Sequence, residues 1–320
     1  MIKLKQKNKI VKILLVVLCL VTLTGCTKQL KGEDNKIVKD EATGKTLVEN
    51  IVCRPTNESM IELYKENGME LETLPECDEF KAFSNYDGLW TTIFVRPLAW
   101  VIINLGVLLG KIGLGKGLAS GLAIIISCLV IRLILFPFTK KTAMQSEKMK
   151  SAQSEIDRIE KKYKDKTSEE DQKKKAEEMM ILYKKNNINP LSSCLLTFIQ
   201  IPLLFAYLEA IQRTPVIFEN KFLGLDMGTT ISRGIMSSQW YIYVLFFVLV
   251  LGSSFLSFRK TLKDQTSSAA KQMKGTIYFM LAMIVIASFS LPVALGLYWI
   301  ASSLFTVLQN QIVERKKEKK

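Results

Sequence analysis

The sequence predicts an all-α integral membrane protein with five transmembrane helices, an interfacial helix in the outer leaflet and a cytoplasmic helical hairpin. Three observations point there. Apolar stretches near bilayer length recur along the 320 residues. The mean hydropathy is positive, +0.18, although the formal charge is +14, so the charge is gathered between apolar spans. Lys and Arg are concentrated in alternate loops, as the positive-inside rule requires.

The N-terminus reads as a targeting segment. Lys3, Lys5, Lys7, Lys9 and Lys12 precede an apolar run at 13–23 that is short for a span, and the run ends in Leu23-Thr24-Gly25-Cys26. That order resembles the lipobox of bacterial lipoproteins, in which Cys26 becomes the lipidated N-terminus after residues 1–25 are removed. An uncleaved signal anchor is the alternative. The lipid-anchored segment 26–91 is expected outside the cytoplasm. From 27 to 91 it holds fourteen carboxylates against eight basic residues, which suits that face. Its Cys53 and Cys77 form a disulfide there or stay free; the sequence leaves both open.

The spans are placed at 118–138, 191–211, 240–258, 275–290 and 291–312, with Leu291-Pro292 as the turn between the last two. The stretch 93–110 is also apolar. If it spans, the segment 139–189, with fourteen Lys and Arg, falls outside. If it does not, that segment, the loop 259–274 and the basic tail 313–320 all fall inside. Only Arg213, Lys221 and Arg233 then remain in the external loop 212–239. Residues 92–117 are therefore read as an interfacial helix and loop anchored by Trp90 and Trp100. Within 139–189, Met149, Ala152, Ile156, Ile159 and Tyr163 follow helical spacing, residues 165–168 break it, and Ala176, Met179 and Tyr183 form a second stripe. Two antiparallel helices with a thin seam follow, either a landing surface for a partner or a solvated connector.

Arg132 is the conspicuous residue. It lies in 118–138 with no acidic residue in the stretch. Its guanidinium stays charged, and at the centre of a span it costs about 2.5–3.5 kcal/mol. About seven residues from the cytoplasmic end, it sits roughly 10 Å deep. Such a residue is expected to face water and to act there. The absence of histidine excludes His-based triads and His metal sites. The six scattered cysteines contain no C-x-x-C pair, and no nucleotide-binding loop is present. No cofactor is implied.

The run Ile131-Arg132-Leu133-Ile134-Leu135-Phe136-Pro137-Phe138-Thr139-Lys140, followed by Gln145, Ser146, Lys148 and Met149, resembles the signature of YidC-type membrane insertases, the family that includes the mitochondrial oxidase-assembly and thylakoid Alb proteins. Asn189-Pro190-Leu191-Ser192-Ser193-Cys194-Leu195 with Ile199-Gln200-Ile201-Pro202 resembles its second span. Leu291-Pro292, Leu297-Tyr298-Trp299 and Gln309 resemble its last. The likeness implies an insertase core at 118–312, in the lipoprotein form of single-membrane bacteria. It also implies a hydrophilic groove closed outside and open to cytoplasm and lipid. Arg132, Gln200 and Trp299 would line it, with Tyr298 and Cys128 beside them. Cys128 departs from the family's usual hydroxyl one turn before the Arg, Leu196 from a frequent Pro and Ser303 from a frequent Asn.

The resemblance implies a chaperone and insertase, not an enzyme, in the bacterial plasma membrane with its C-terminus cytoplasmic. Its partners would be nascent membrane proteins and the lipid bilayer, with the Sec translocon, ribosome and signal recognition particle as further partners of a monomer. A small anionic-solute transporter is the rival, against which no inverted repeat is found. An external lipoprotein enzyme is disfavoured because 26–91 carries no ordered catalytic set.

Overall fold

The computed structural model describes residues 27–84, 86–189, 191–263 and 268–318; the helical side chains of 146, 150, 191–201, 260–263, 268–274, 276 and 314–318 fall outside the description. Cys26 and the rest of the lipobox lie outside the described residues, as does most of the basic loop 259–274 at side-chain level. Among the described residues the regular structure is helical apart from one two-stranded ladder, β1 (Lys221–Phe222) with β2 (Leu225–Asp226), and a few isolated bridges. It is an all-α membrane protein.

Long helices fall where hydropathy placed the spans. They are α3 (Lys116–Ser151), α6 (Leu191–Gln212), α9 (Trp240–Lys263), α10 (Ser268–Ser290) and α11 (Val293–Glu318). Residues 291–292 break α10 from α11, as the Leu-Pro pair implies. Helix α3 has 36 residues, about 54 Å at 1.5 Å each, so it outruns a bilayer of about 30 Å and carries its charged last third beyond the apolar part. Among the described residues, four helical stretches are long and apolar enough to cross a membrane: Thr91–Lys111, Lys116–Met149, Trp240–Arg259 and Val293–Val313. Ile277–Ser290 is apolar and shorter. Length and hydropathy alone therefore do not distinguish the first stretch from a span.

The described residues form two compact units, the first drawn from 27–127, 202–246 and 288–298, the second from 128–201, 247–287 and 299–318. In the first unit, the polar segment after residue 27 has its own core, which its composition did not suggest. Bridges pair Gln29 with Val48, Lys31 with Ile37 and Lys39 with Thr46. Helix α1 (Glu58–Glu66), capped by Asn57 accepting from Ser59 N, packs Met60 and Tyr64 on Leu30, Leu47, Val48, Ile51 and Leu71. Cys53 and Cys77 are joined by a disulfide across a separation of 24 residues. Reducing it should cost this small domain about 3 kcal/mol through regained chain entropy, read as a lower thermal midpoint in the presence of dithiothreitol.

This domain grips the loop that follows α6. The Glu219 carboxylate accepts from Thr56 N at 2.7 Å, from Asn57 N at 3.1 Å and from the Thr56 hydroxyl. Val52 N donates to Arg213 O at 2.8 Å, and the Arg233 guanidinium, on the short helix α8 (Ile231–Gly234), donates to Glu41 O. Lys45, 3% exposed, stands with Nζ 3.5 Å over the Phe218 ring. Burial pushes its ammonium down to about 7, opposed by the nearby carboxylates of Glu219 and Asp40. Between that value and the ordinary 10.5, the unfolded chain holds a proton the folded one has lost. Stability therefore rises with pH over this window. Lys45→Met should flatten that rise, as thermal unfolding at pH 7 and pH 9 will show.

Further down the chain, α2 (Arg96–Lys111) follows one π-type turn, Thr91–Val95, and begins with Pro97 in its first turn. It buries Leu98, Ala99, Ile102 and Ile103 and leaves Trp100, Leu108 and Ile112 exposed. The β1–β2 ladder packs on the start of α3, where a Cβ on Gly121 would lie 2.1 Å from the Phe222 ring, so only glycine admits the ladder there. The turn after α10 is tied to the same loop through Val293 N to Thr229 O and Ala294 N to Met227 O.

In the second unit, α4 (Gln153–Lys162) and α5 (Glu169–Lys185) form the expected hairpin, with Ser168 capping α5 through Asp171 N. The seam holds Ala152, Ile156, Leu182 and Ile188, flanked by Met149, Ile159, Met179 and Tyr183. Ala176 was expected in the seam and is exposed instead. Contact begins one turn later at Met179 and passes to Leu182 and, beyond the helix end, Ile188, larger side chains that bury more apolar area. Tyr163 is buried, and its hydroxyl donates to Glu178 Oε1 at 2.9 Å, to which Lys162 also donates. With so few seam residues, Leu182→Ala should remove about 2–5 kcal/mol and open the hairpin to limited proteolysis.

Candidate functional site

Arg132 lies on α3 within the second unit and is 6% exposed. Its Nη2 donates to the Ser302 hydroxyl of α11, while its Nε has no hydrogen-bond partner among the described residues. None of the salt bridges among the described residues includes it. Two further layers continue the contact along both helices. Phe136 meets Phe305 edge-on at 6.2 Å between ring centroids, and Thr139 Oγ1 donates to Gln309 Oε1 at 2.9 Å. Residues 132, 136 and 139 and residues 302, 305 and 309 ascend together at helical spacing, so α3 and α11 run in the same direction through this unit.

That seam explains how a guanidinium comes to rest here. One face of α3 carries Cys128, Arg132, Phe136 and Thr139, and the opposing face of α11 offers a hydroxyl, a ring and an amide in matching order. Cys128, buried, lies beside the guanidinium one turn earlier. A thiol in place of a hydroxyl keeps a small polarizable neighbour there with weaker hydrogen bonding. Pro137 removes one backbone donor within α3, just past Arg132. The guanidinium thus has the Ser302 hydroxyl and the Cys128 thiol beside it, no partner at Nε and no carboxylate among the described residues.

The other expected residues separate. Trp299 is half-buried in the second unit. Tyr298, one position earlier and about 100° round the helix, belongs to the first unit. It is 1% exposed and stacked on Tyr207 with ring centroids 4.5 Å apart. A ring so enclosed packs the protein. The Gln200 side chain lies outside the described residues. Sequence reading missed Ser302 because attention fell on its neighbour Ser303; the spacing of 302 from 309 along α11 was the available signal.

A second polar cluster occupies the first unit. Trp90 was expected to anchor α2 in the interface, yet it is 1% exposed and its Nε1 donates to Glu209 Oε1 at 2.9 Å. The indole N–H needs an acceptor, and a buried carboxylate on α6 provides it. Trp100, 42% exposed, retains the surface position. One turn beyond Glu209, Arg213 donates to Asn50 O at 2.5 Å and to Thr91 Oγ1 at 3.3 Å, and stands 3.8 Å from Asp87 Oδ2. Asp87 also pairs with Arg96 at 3.1 Å, whose other donors reach Ala82 O, Lys81 O and Ser84 Oγ. Hydropathy hid this cluster, since all but its Trp read as loop or helix-end polarity.

Residues 114–320 match the family model described as 60Kd inner membrane protein. Among curated relatives, the chain is 36% identical over 225 residues to the membrane protein insertase YidC of Alkalihalophilus pseudofirmus, covering 70% of this chain and 81% of the relative. It is 33% identical over 232 residues to the membrane protein insertase YidC of Oceanobacillus iheyensis, covering 72% and 86%. To the membrane protein insertase MisCA of Bacillus subtilis it is 29% identical over 225 residues, covering 70% and 79%.

Proposed function

Because the chain belongs to the YidC family of membrane protein insertases, we propose that Arg132 is the charge on which it receives its clients. The observation that carries this reading is the buried guanidinium held only by neutral groups, the Ser302 hydroxyl and the Cys128 thiol, with no partner at Nε and no carboxylate partner among the described residues. In a groove open to the cytoplasm, its field attracts acidic residues in the part of a nascent membrane protein that must cross. The attraction is loose, because the client leaves. The client's apolar segment then moves sideways into lipid, and burial of that surface drives the step. Trp299, and Gln200 by its family likeness, line the path. Cys128 sits beneath the guanidinium as its neighbour.

In the same reading, Cys26 carries the lipid anchor, α2 lies in the outer interface with Trp100 at its surface, and the hairpin α4–α5 and basic tail face the cytoplasm. The disulfide-linked domain then closes the outer side by holding the loop after α6. The hairpin is the docking surface for ribosome, signal recognition particle or Sec translocon, and the protein acts as a monomer, alone or beside the translocon.

Proteoliposomes containing only this protein test the reading against an anion carrier. A single-span client synthesised in their presence should acquire a protected fragment well above empty liposomes, with no accelerated release of entrapped small anions. Anion release without client protection would replace the insertase mechanism with transport.

A further inference from the structure

A cleft of about 780 Å³ opens in the first unit between the disulfide-linked domain, α2, the start of α3 and the short helix α7 (Pro215–Phe218). That volume lies in the range of small-molecule sites. Its walls are chemically divided. Ile102, Ile103 and Val107 of α2 line one side. The rim carries Arg54 and Lys116 together with Glu76, Asp78 and Glu219. The Arg54 guanidinium is fixed there by the carbonyls of Leu71, Glu72 and Leu74. The space along α2 is unfilled: a Cβ on Gly110 would meet nothing within 4 Å, and one on Gly106 would meet only the Ala123 Cβ at 3.9 Å.

Helix α2 thus has apolar residues on two sides. Leu108 is exposed about 100° round the helix from Val107, which lines the cleft together with Ile103. A helix apolar towards both the exterior and a cavity borders the hydrocarbon on one side and an amphiphile on the other. The rim, with both signs of charge above an apolar wall, complements a head group that itself carries both signs.

We propose that this cleft binds one outer-leaflet phospholipid with a zwitterionic head group. Its acyl chain lies along Ile103 and Val107, its phosphate faces Lys116, and its ammonium faces Glu76 and Asp78. The inference rests on the extracytoplasmic placement of the N-terminal domain and not on the client mechanism.

The test uses the full chain in lipid nanodiscs of phosphatidylethanolamine or phosphatidylglycerol bearing a photoactivatable acyl chain, with adducts mapped by mass spectrometry. The expected result is labelling at Ile103 and Val107 from phosphatidylethanolamine. Gly110→Leu, whose Cβ would meet nothing within 4 Å, should reduce it about tenfold while labelling at the outward Leu108 persists. Lys116→Glu should reduce it without touching the apolar wall, and serves if the Gly110 variant fails to accumulate. Labelling at Ile103 and Val107 that neither variant lowers, or that phosphatidylglycerol matches, overturns the proposal. So does a photoreactive residue at Val107 that captures a nascent client instead of lipid. In cells, Lys36→Cys should react with a membrane-impermeant maleimide. Failure there removes the external placement, whereas reaction there with an unlabelled cleft removes only the lipid site.

Discussion

Arg132→Ala should lower insertion of clients with acidic external segments about tenfold or more and leave clients with neutral segments nearly unchanged. Charge-assisted hydrogen bonds are worth about 1.5–3 kcal/mol, and each 1.4 kcal/mol is a factor of ten. The variant should remain folded. Removing the guanidinium lifts the cost of a charge in a span, and Ser302 can turn its hydroxyl to a carbonyl of its own helix. Arg132→Lys should recover part of the activity, since a point charge keeps the field and loses the planar fork. Insertion measured over a client panel, with protein level followed in the same cells, checks both statements. Equal loss for every client, or loss that tracks protein level, would show that Arg132 serves the fold.

Arg213→Ala should be the most damaging substitution in the first unit. The guanidinium joins Asn50 O, Thr91 Oγ1 and Asp87 and is only 3% exposed. Its loss leaves Glu209, one turn away on α6, without a nearby cation, and Glu209 Oε2 already has no hydrogen-bond partner among the described residues. Breaking a buried charge cluster from one side costs about 3–5 kcal/mol. The expected readout is early protease cleavage in the disulfide-linked domain and a lowered thermal midpoint. Pairing it with Glu209→Gln should recover part of the loss, because the stranded charge goes too. Additive losses in the double variant would mean that the two residues do not share an environment.

Hydropathy located every long helix because a span must be apolar throughout and must satisfy its backbone internally. Leu291-Pro292 marked the last turn, and the charge-rich 139–189 marked the hairpin, because Pro and dense charge break the same pattern. Arg132 was legible since a lone cation in 118–138 has no packing explanation. What it contacts was not legible: Ser302 becomes its partner only when α3 and α11 lie side by side in one direction. Single-residue spacing also failed at Ala176, where neighbouring side chains, not the stripe itself, decide which residue is enclosed. The core of Leu30, Leu47, Ile51 and Tyr64 stayed hidden because a small domain held by bridges, one short helix and a disulfide has little periodicity to read. Trp90 was misplaced for a related reason. Its indole had a buried acceptor 119 residues away, which nothing in its neighbourhood announces.

The central claim is that clients pass beside Arg132. Photoreactive residues at Trp299 and Gln200, activated during translation of a short single-span client, measure this directly in wild-type and Arg132→Ala protein. The account predicts adducts to the client's apolar segment from both positions, with fewer from acidic-tailed clients when Arg132 is absent. Adducts from neither position in the wild-type protein would contradict it.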